Sequence, residues 1–258
     1  MTIRKNMSDD ISHILKSWRF NPDDDLMVRI VWGDDNRPKI QMLMDMGLMQ
    51  MELDGHPASE RPEGEESWLD YFEHRRREYE ESRVDDYFTL SDEDCRKLRR
   101  EGVQYYYRYL SLMKLEDYPR VVRDTDRNLR LFAFVKKHAA REMDRWALDQ
   151  YRPYVIMMNA RARASLLLKN DPSGGITGAV ELFDEGIGKI VVFYNEYGIA
   201  AEIENSMELS LLKALKQEFL RMSPPSLEDE LARAIREERF EDAASIRDRL
   251  KGGPGESV

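Results

Sequence analysis

The chain has 258 residues, enough to bury a substantial core in one large domain or two modest ones, which excludes a fully disordered chain and a disulfide-stapled miniprotein. A composition of 41% apolar and 35% charged residues fits solvated helices better than a sheet buried on both faces, and 50 acidic against 40 basic residues leave a net charge of −10, so the molecule as a whole repels nucleic acid and anionic membrane. One cysteine, Cys95, excludes an internal disulfide and a thiolate metal cage; with no run near the roughly 20 apolar residues of a membrane span and no apolar export segment in Met1 to Ser17, a cytoplasmic protein is expected.

A small N-terminal region, residues 1–88, reads as β structure with a covering helix. Leu26, Val28 and Ile30 alternate with Met27, Arg29 and Val31, Gly33 to Pro38 turns the chain, and alternation resumes at Ile40, Met42 and Met44. That pattern predicts an antiparallel β-hairpin. The phase changes at Gly47, with Met49, Met51 and Leu53 apolar on odd numbers. A bulge or a further turn is needed there, because a slip of one residue exchanges the faces of a strand. The glycines and prolines of Gly55 to Gly64 predict a loop, and Trp68, Leu69 and Phe72 open a helix that runs to about Ser82. Met42, Met44, Met46, Met49 and Met51 are expected to pack beneath that helix; the alternative is an adaptable apolar face for a partner.

Residues 89–222 read as a helical body. Ser91 with Asp94 is a capping pattern, and Leu98, Gly102, Tyr105, Tyr106, Tyr109 and Met113 continue one helix to about Leu115. After the turn Glu116-Asp117-Tyr118-Pro119, Val121, Val122, Leu129, Phe132 and Val135 stripe a second helix, so the two must form an antiparallel hairpin. A helix over Glu142 to Lys169, expected to kink at Pro153, leads through an Asn170–Gly175 corner to a helix carrying Ala179, Phe183, Gly186 and Ile190, and a last helix spans Ile203 to Arg221. The stretch Tyr107 to Leu131, with its Leu115–Tyr118 corner, resembles a tetratricopeptide repeat, and Asn159 to Tyr197 resembles a weaker copy. A generic helical bundle sharing that turn chemistry is the alternative. The resemblance implies a groove for a partner segment, with Tyr106, Tyr109, Asn128, Asn159 and Arg163 as its candidate residues.

Residues 223–226, Ser-Pro-Pro-Ser, read as a stiff linker before a separate module at 227–251, and 252–258 as a disordered tail. Leu227, Leu231, Ala234 and Ile235 make one apolar stripe, and Phe240, Ala243, Ala244 and Leu250 a second, so two short helices must fold back on one another. Together with Glu230, Glu238, Glu241, Arg247 and Asp248, these residues fill nearly every position of the UVR motif, which they resemble. Proteins with that motif use it to pair with a second copy, as between excision-repair nuclease subunits, or to contact Clp-type ATPases and their adaptors. The resemblance implies a protein partner, or a homodimer, bound through Leu231, Ile235, Phe240, Glu241, Ala243, Ala244, Arg247, Asp248 and Leu250. A unit of this size cannot bury enough apolar area to be stable alone, so it needs another surface.

The remaining patterns give no catalytic chemistry. His13, His56, His74 and His138 are scattered, no calcium-loop, P-loop or dinucleotide pattern occurs, and Asp92, Glu93 and Asp94 oppose a thiolate at Cys95, so no metal, cofactor or enzymatic activity is expected. Arg120, Arg123, Arg127 and Arg130 recur on one helix face. This is either a local ridge for nucleic acid or a solvated face neutralised by Glu116, Asp117, Asp124 and Asp126, and the second reading is favoured. The expected function is a non-catalytic adaptor in which the C-terminal hairpin docks one protein and the helical body another. The alternative is a DNA-repair accessory subunit whose arginine ridge touches DNA.

Overall fold

The computed structural model describes residues 10–24, 26–45, 47–82, 87–172, 174–222 and 227–251. After a short helix α1 (Ser12–Ser17), strands β1 (Met27–Trp32), β2 (Pro38–Met44) and β3 (Gly47–Glu52) form an antiparallel sheet in the order β1-β2-β3. Gly47 pairs with Met44, so the phase change is a tight turn rather than a bulge, and it sets Met42 opposite Met49 and Ile40 opposite Met51 on a single face. The other face carries a polar ladder: Arg29 Nε donates to Gln41 Oε1 at 2.9 Å and Gln41 Nε2 to Gln50 Oε1 at 2.9 Å, with Trp18 stacked on the Arg29 guanidinium.

Two helices follow, α2 (Trp68–Glu81), capped by the Ser67 hydroxyl, and α3 (Asp92–Lys114), opened by the Ser91/Asp94 capping box. The sheet lies on α3, not beneath α2 as the methionine pattern suggested: β2 packs on α3, and Met49 and Met51 line a cleft with Arg96, Arg100, Val103 and Tyr107. The 23-residue α3 offers a long apolar face at that point, whereas α2 meets α3 through its first turn. Met42 and Met51 are buried, Met49 is half-buried, Met44 is exposed, and Met46 lies outside the described residues.

The helices α4 (Tyr118–His138), α5 (Glu142–Asp149), α6 (Arg152–Asn170), α7 (Gly175–Glu196) and α8 (Met207–Met222) complete the body, with a 3-10 turn (Ala200–Asn205) before the last. The expected kinked helix over Glu142 to Lys169 is two helices. Pro153 sits in the first turn of α6, where its missing N–H costs nothing, and the chain breaks at Gln150–Tyr151. Helices stack in chain order, α3 on α4, α4 on α6, α6 on α7 and α7 on α8, with α5 laid against α4. Gly186 permits a close approach on both sides of α7: a Cβ there would lie 3.0 Å from Ala160 Cβ and 3.1 Å from a Leu212 methyl. One continuous core runs from Ile40 to Leu212, so the change near residue 88 is one of secondary structure, not of core.

The chain ends in α9 (Leu227–Arg236) and α10 (Phe240–Lys251), which pack on each other. The core of the body includes no described residue of either. The chain is thus mainly helical, with a small N-terminal sheet and a C-terminal helical hairpin. The linker 223–226 and tail 252–258 lie outside the described residues.

Candidate functional site

The C-terminal hairpin is built on a tight corner. Arg239 N–H donates to Ala234 O at 2.8 Å and Glu238 N–H to Ile235 O at 3.1 Å, a Schellman arrangement that places Glu238 in the left-handed region at φ +57°. Arg239 then starts α10: its carbonyl accepts from Ala243 N–H at 2.9 Å, and its guanidinium bonds Glu237 and Asp242. So sharp a corner forces the helices together, and alanines sit where they meet: Ala234 and Ala243 are buried, while Leu231, Ala244, Ile246 and Leu250 are half-buried. Ile235 and Phe240 are left in water, 52% and 67% exposed. Glu241, Arg247 and Asp248 rim them, exposed, with 3.6 Å between the Arg247 and Asp248 charges. The side chain of Leu227 lies outside the described part.

Comparison with known families gives one match in this stretch, the UvrB/uvrC motif over residues 225–252. The chain carries a UVR motif. The match spans 28 of the 258 residues and coincides with α9 and α10. UVR motifs are protein-interaction elements. No curated protein and no solved structure matches the chain.

Among the sequence-predicted site residues, those of the UVR hairpin stand together on one small unit, and those assigned to a repeat groove do not make one. Tyr109 is buried and Tyr106 is half-buried against Tyr109 and Tyr154. Asn128 Nδ2 donates to Gly102 O at 3.0 Å, tying α4 to α3, and Asn159 Nδ2 donates to Thr125 Oγ1 and Asp126 Oδ1, both at 2.8 Å, tying α6 to α4. Arg163 pairs with Glu185 across α6 and α7. These are ties between stacked helices. A buried amide in a helix interface must find partners, and here the neighbouring helices supply them.

The arginine ridge is likewise engaged within the chain. Arg120 makes a two-pronged pair with Asp54 at 2.8 and 2.9 Å and also bonds Asp117; Arg123 bonds Asp54 and Asp124; Arg127 contacts Glu101; and Arg130 pairs with Asp70 and Glu73. The neutralising carboxylates come mostly from the β3–α2 loop, α2 and α3 rather than from the local Glu116 and Asp126. The two arginine hydrogen bonds hold the Asp54 carboxyl down to about 2. The ridge therefore fastens α4 to the N-terminal region.

Sequence reasoning missed the buried ionic core beneath that ridge. Arg108 and Asp124, each 1% exposed, form a two-pronged pair at 2.7 and 2.9 Å, and Arg108 Nη1 also donates to Gly55 O at 2.6 Å and Glu52 O at 3.3 Å. The buried Glu101 carboxylate accepts from the N–H groups of Trp68 at 2.6 Å and Leu69 at 3.2 Å, so a side chain of α3 caps the start of α2. His56 Nδ1 faces the N–H groups of Ala58 and Glu60, at 3.2 and 3.3 Å, and so accepts from them. Its proton is then on Nε2, which lies 3.3 Å from Glu101 Oε2. Burial, with Arg127 and Arg108 nearby, lowers His56 to about 4. Arg127 lies over the Tyr105 ring at 4.0 Å and is depressed to about 9 by burial. The available signal was positional: Glu101 and Arg108 fall on the same three-four stripe as Leu98, Tyr105 and Leu112, where a charged residue must be paired.

Burial first, and then Asp144 and Asp94, push the Cys95 thiol up to about 11, which leaves it unreactive at neutral pH. Among the described residues no cluster of three or more His, Cys, Asp or Glu side chains is placed to hold a metal ion, and no described helix is long and apolar enough to cross a membrane.

Proposed function

We propose that the protein is a non-catalytic adaptor whose UVR hairpin docks a second protein through Phe240, Ile235 and the half-buried Leu231, Ala244 and Leu250, with Arg247 and Asp248 at the rim. One observation carries the reading: α9 and α10 pack chiefly on each other, leaving Ile235 and Phe240 in water, and no described residue of either helix belongs to the core of the body. Burying such a side chain fully stabilises a complex by about 1.5–3 kcal/mol, and a hairpin with two alanines at its centre lacks that contribution within itself. By its resemblance, the partner is a UvrB/UvrC-like subunit or a Clp-type ATPase. The helical body serves as the rigid carrier, with a surface groove of about 840 Å³ over Leu129, Ile156 and Val192 as its place for a second partner.

A direct DNA contact through the ridge is not favoured, since each of Arg120, Arg123, Arg127 and Arg130 is already bound to a carboxylate. Capture of partners from a lysate with wild type and Phe240→Asp in parallel, each at about 50 and 200 mM salt, tests the proposal. The expected result is a protein retained by wild type at both salt concentrations and lost with Phe240→Asp, at an unchanged melting temperature. Retention by the variant, or capture that vanishes at the higher salt, would refute docking through the apolar face.

A further inference from the structure

We propose that the outer edge of β1 pairs with β1 of a second copy of this chain, joining two three-stranded sheets into one of six strands. The inference stands on the sheet alone and is independent of what the UVR hairpin binds.

Pairing across the first turn fixes which backbone groups are free. Trp32 stands opposite Pro38, which has no N–H, while the next residue, Gly33, donates its N–H to Arg37 O at 2.9 Å. Trp32 and Pro38 are therefore a non-hydrogen-bonded pair, and alternation along an antiparallel ladder makes Ile30–Ile40 and Val28–Met42 the same. The N–H and C=O groups of Val28, Ile30 and Trp32 then point away from β2, out of the edge. Among the described residues, no backbone hydrogen bond reaches them.

The side chains at this edge are of the kind a strand partner covers. Ile30 is 46% and Trp32 74% exposed, although both lie on the sheet face whose centre, Ile40 and Met42, is buried. Edge strands are ordinarily protected by lysine, proline, a bulge or a covering element. The stretch Met27-Val28-Arg29-Ile30-Val31-Trp32 has none of the first three, and its one charge, Arg29, is turned onto Gln41 and the Trp18 ring.

The occupant follows from self-complementarity. An antiparallel partner must present outward groups at the same two-residue spacing, and a two-fold axis through Ile30 achieves this with β1 itself. Ile30 then faces its own counterpart, Val28 faces Trp32, and Arg29 faces Val31. Every pair contains an aliphatic side chain and none brings like charges together. Shifting the register by two residues one way sets Arg29 against Arg29; the other way, Val28 meets Asp34 beyond the strand end. The Ile30-centred register alone uses all three outward residues. A dimer made this way carries two UVR hairpins, which raises the effective concentration of the second once the first is engaged.

Sedimentation velocity of the full chain over a concentration series tests the pairing. The expected result is a wild-type mass rising to that of a dimer, a monomer for Ile30→Lys, which sets two lysines against each other, and a monomer for Trp32→Lys, whose side chain is mostly in water. Circular dichroism and melting should match wild type for Trp32→Lys, so loss of its dimer cannot come from misfolding. A wild type that stays monomeric throughout, a dimer that survives both lysine variants, or one that dissociates only with Phe240→Asp would overturn the proposal.

Discussion

The hairpins α3–α4 and α9–α10 turn on the same helical corner, with opposite consequences. Between α3 and α4, Asp117 N–H bonds Leu112 O at 3.0 Å and Glu116 N–H bonds Met113 O at 3.2 Å, and between α9 and α10 Arg239 and Glu238 make the same two bonds to Ala234 and Ile235. Glu116 and Glu238 share φ +57°, and an aromatic residue, Tyr118 or Phe240, follows two positions on. The buried residues beside the corner differ: Leu112 and Val121 in the first hairpin stand where Ala234 and Ala243 do in the second. Longer helices and larger side chains let α3–α4 receive the sheet and α6 and become the centre of the core, while no described residue of the short alanine-centred hairpin joins that core. A corner dictates that two helices pair; what lies on top of them decides whether the pair is a core or a contact surface.

The largest effect separating the two comes from the ion pair that only the first possesses. Arg108→Met leaves Asp124 buried with Arg123 as its remaining arginine and strips the donor from Glu52 O and Gly55 O, so the body should lose about 3–5 kcal/mol in urea unfolding. Adding Asp124→Leu should return most of that loss. An equal loss in both variants would mean that the pair specifies more than charge balance. The UVR hairpin, which has no buried ion pair among its described residues, should bind its partner normally wherever the Arg108→Met body stays folded.

Acid separates the two regions next. His56 is lowered from 6.5 to about 4, so the unfolded chain binds a proton there that the folded chain does not. Its contribution is fully present above pH 6.5 and is lost as the pH falls toward 4, on the order of 3 kcal/mol in total. His56→Gln should flatten the stability profile of the body across that window, as measured by urea midpoints at half-unit pH steps. The hairpin contains no histidine, so its helicity should hold constant between pH 6.5 and 5. A slope unchanged by His56→Gln would assign the acid sensitivity to other groups.

What the sequence disclosed follows the same division between local and long-range causes. The strand pairing, the Ser91 cap, the Glu116 corner and the whole UVR hairpin depend on residues within a few positions of one another, and these were legible. Pro153 suggests a kink in the sequence although its place in a first turn makes it a helix start, because the break at Tyr151 has no glycine to mark it. Of the local acids that the helical spacing offers the arginine ridge, Asp117 and Asp124 pair with it, while Asp54 and Glu101 lie 66 and 26 residues away from Arg120 and Arg127, beyond the reach of helical spacing. Asn128 and Asn159 are groove candidates only through the tetratricopeptide resemblance, and nothing in their local spacing shows that a neighbouring helix of the same chain meets the amide instead.

The smallest expected effect probes the shared corner itself. A left-handed conformation costs a glutamate roughly 1–2 kcal/mol that glycine avoids. Glu116→Gly and Glu238→Gly therefore relieve the same local strain in two different settings. In the body the relief should raise the global unfolding free energy by about 1 kcal/mol. In the hairpin it should leave the melting of the body untouched and raise the folded fraction of α9–α10, read as added helicity at 222 nm. If the free hairpin is only partly folded, that gain tightens partner binding by up to about fivefold, since the competent fraction scales the apparent affinity. Stabilisation of the body by Glu238→Gly would show that the two hairpins share a cooperative unit, and the adaptor reading would then lose the independence on which it rests.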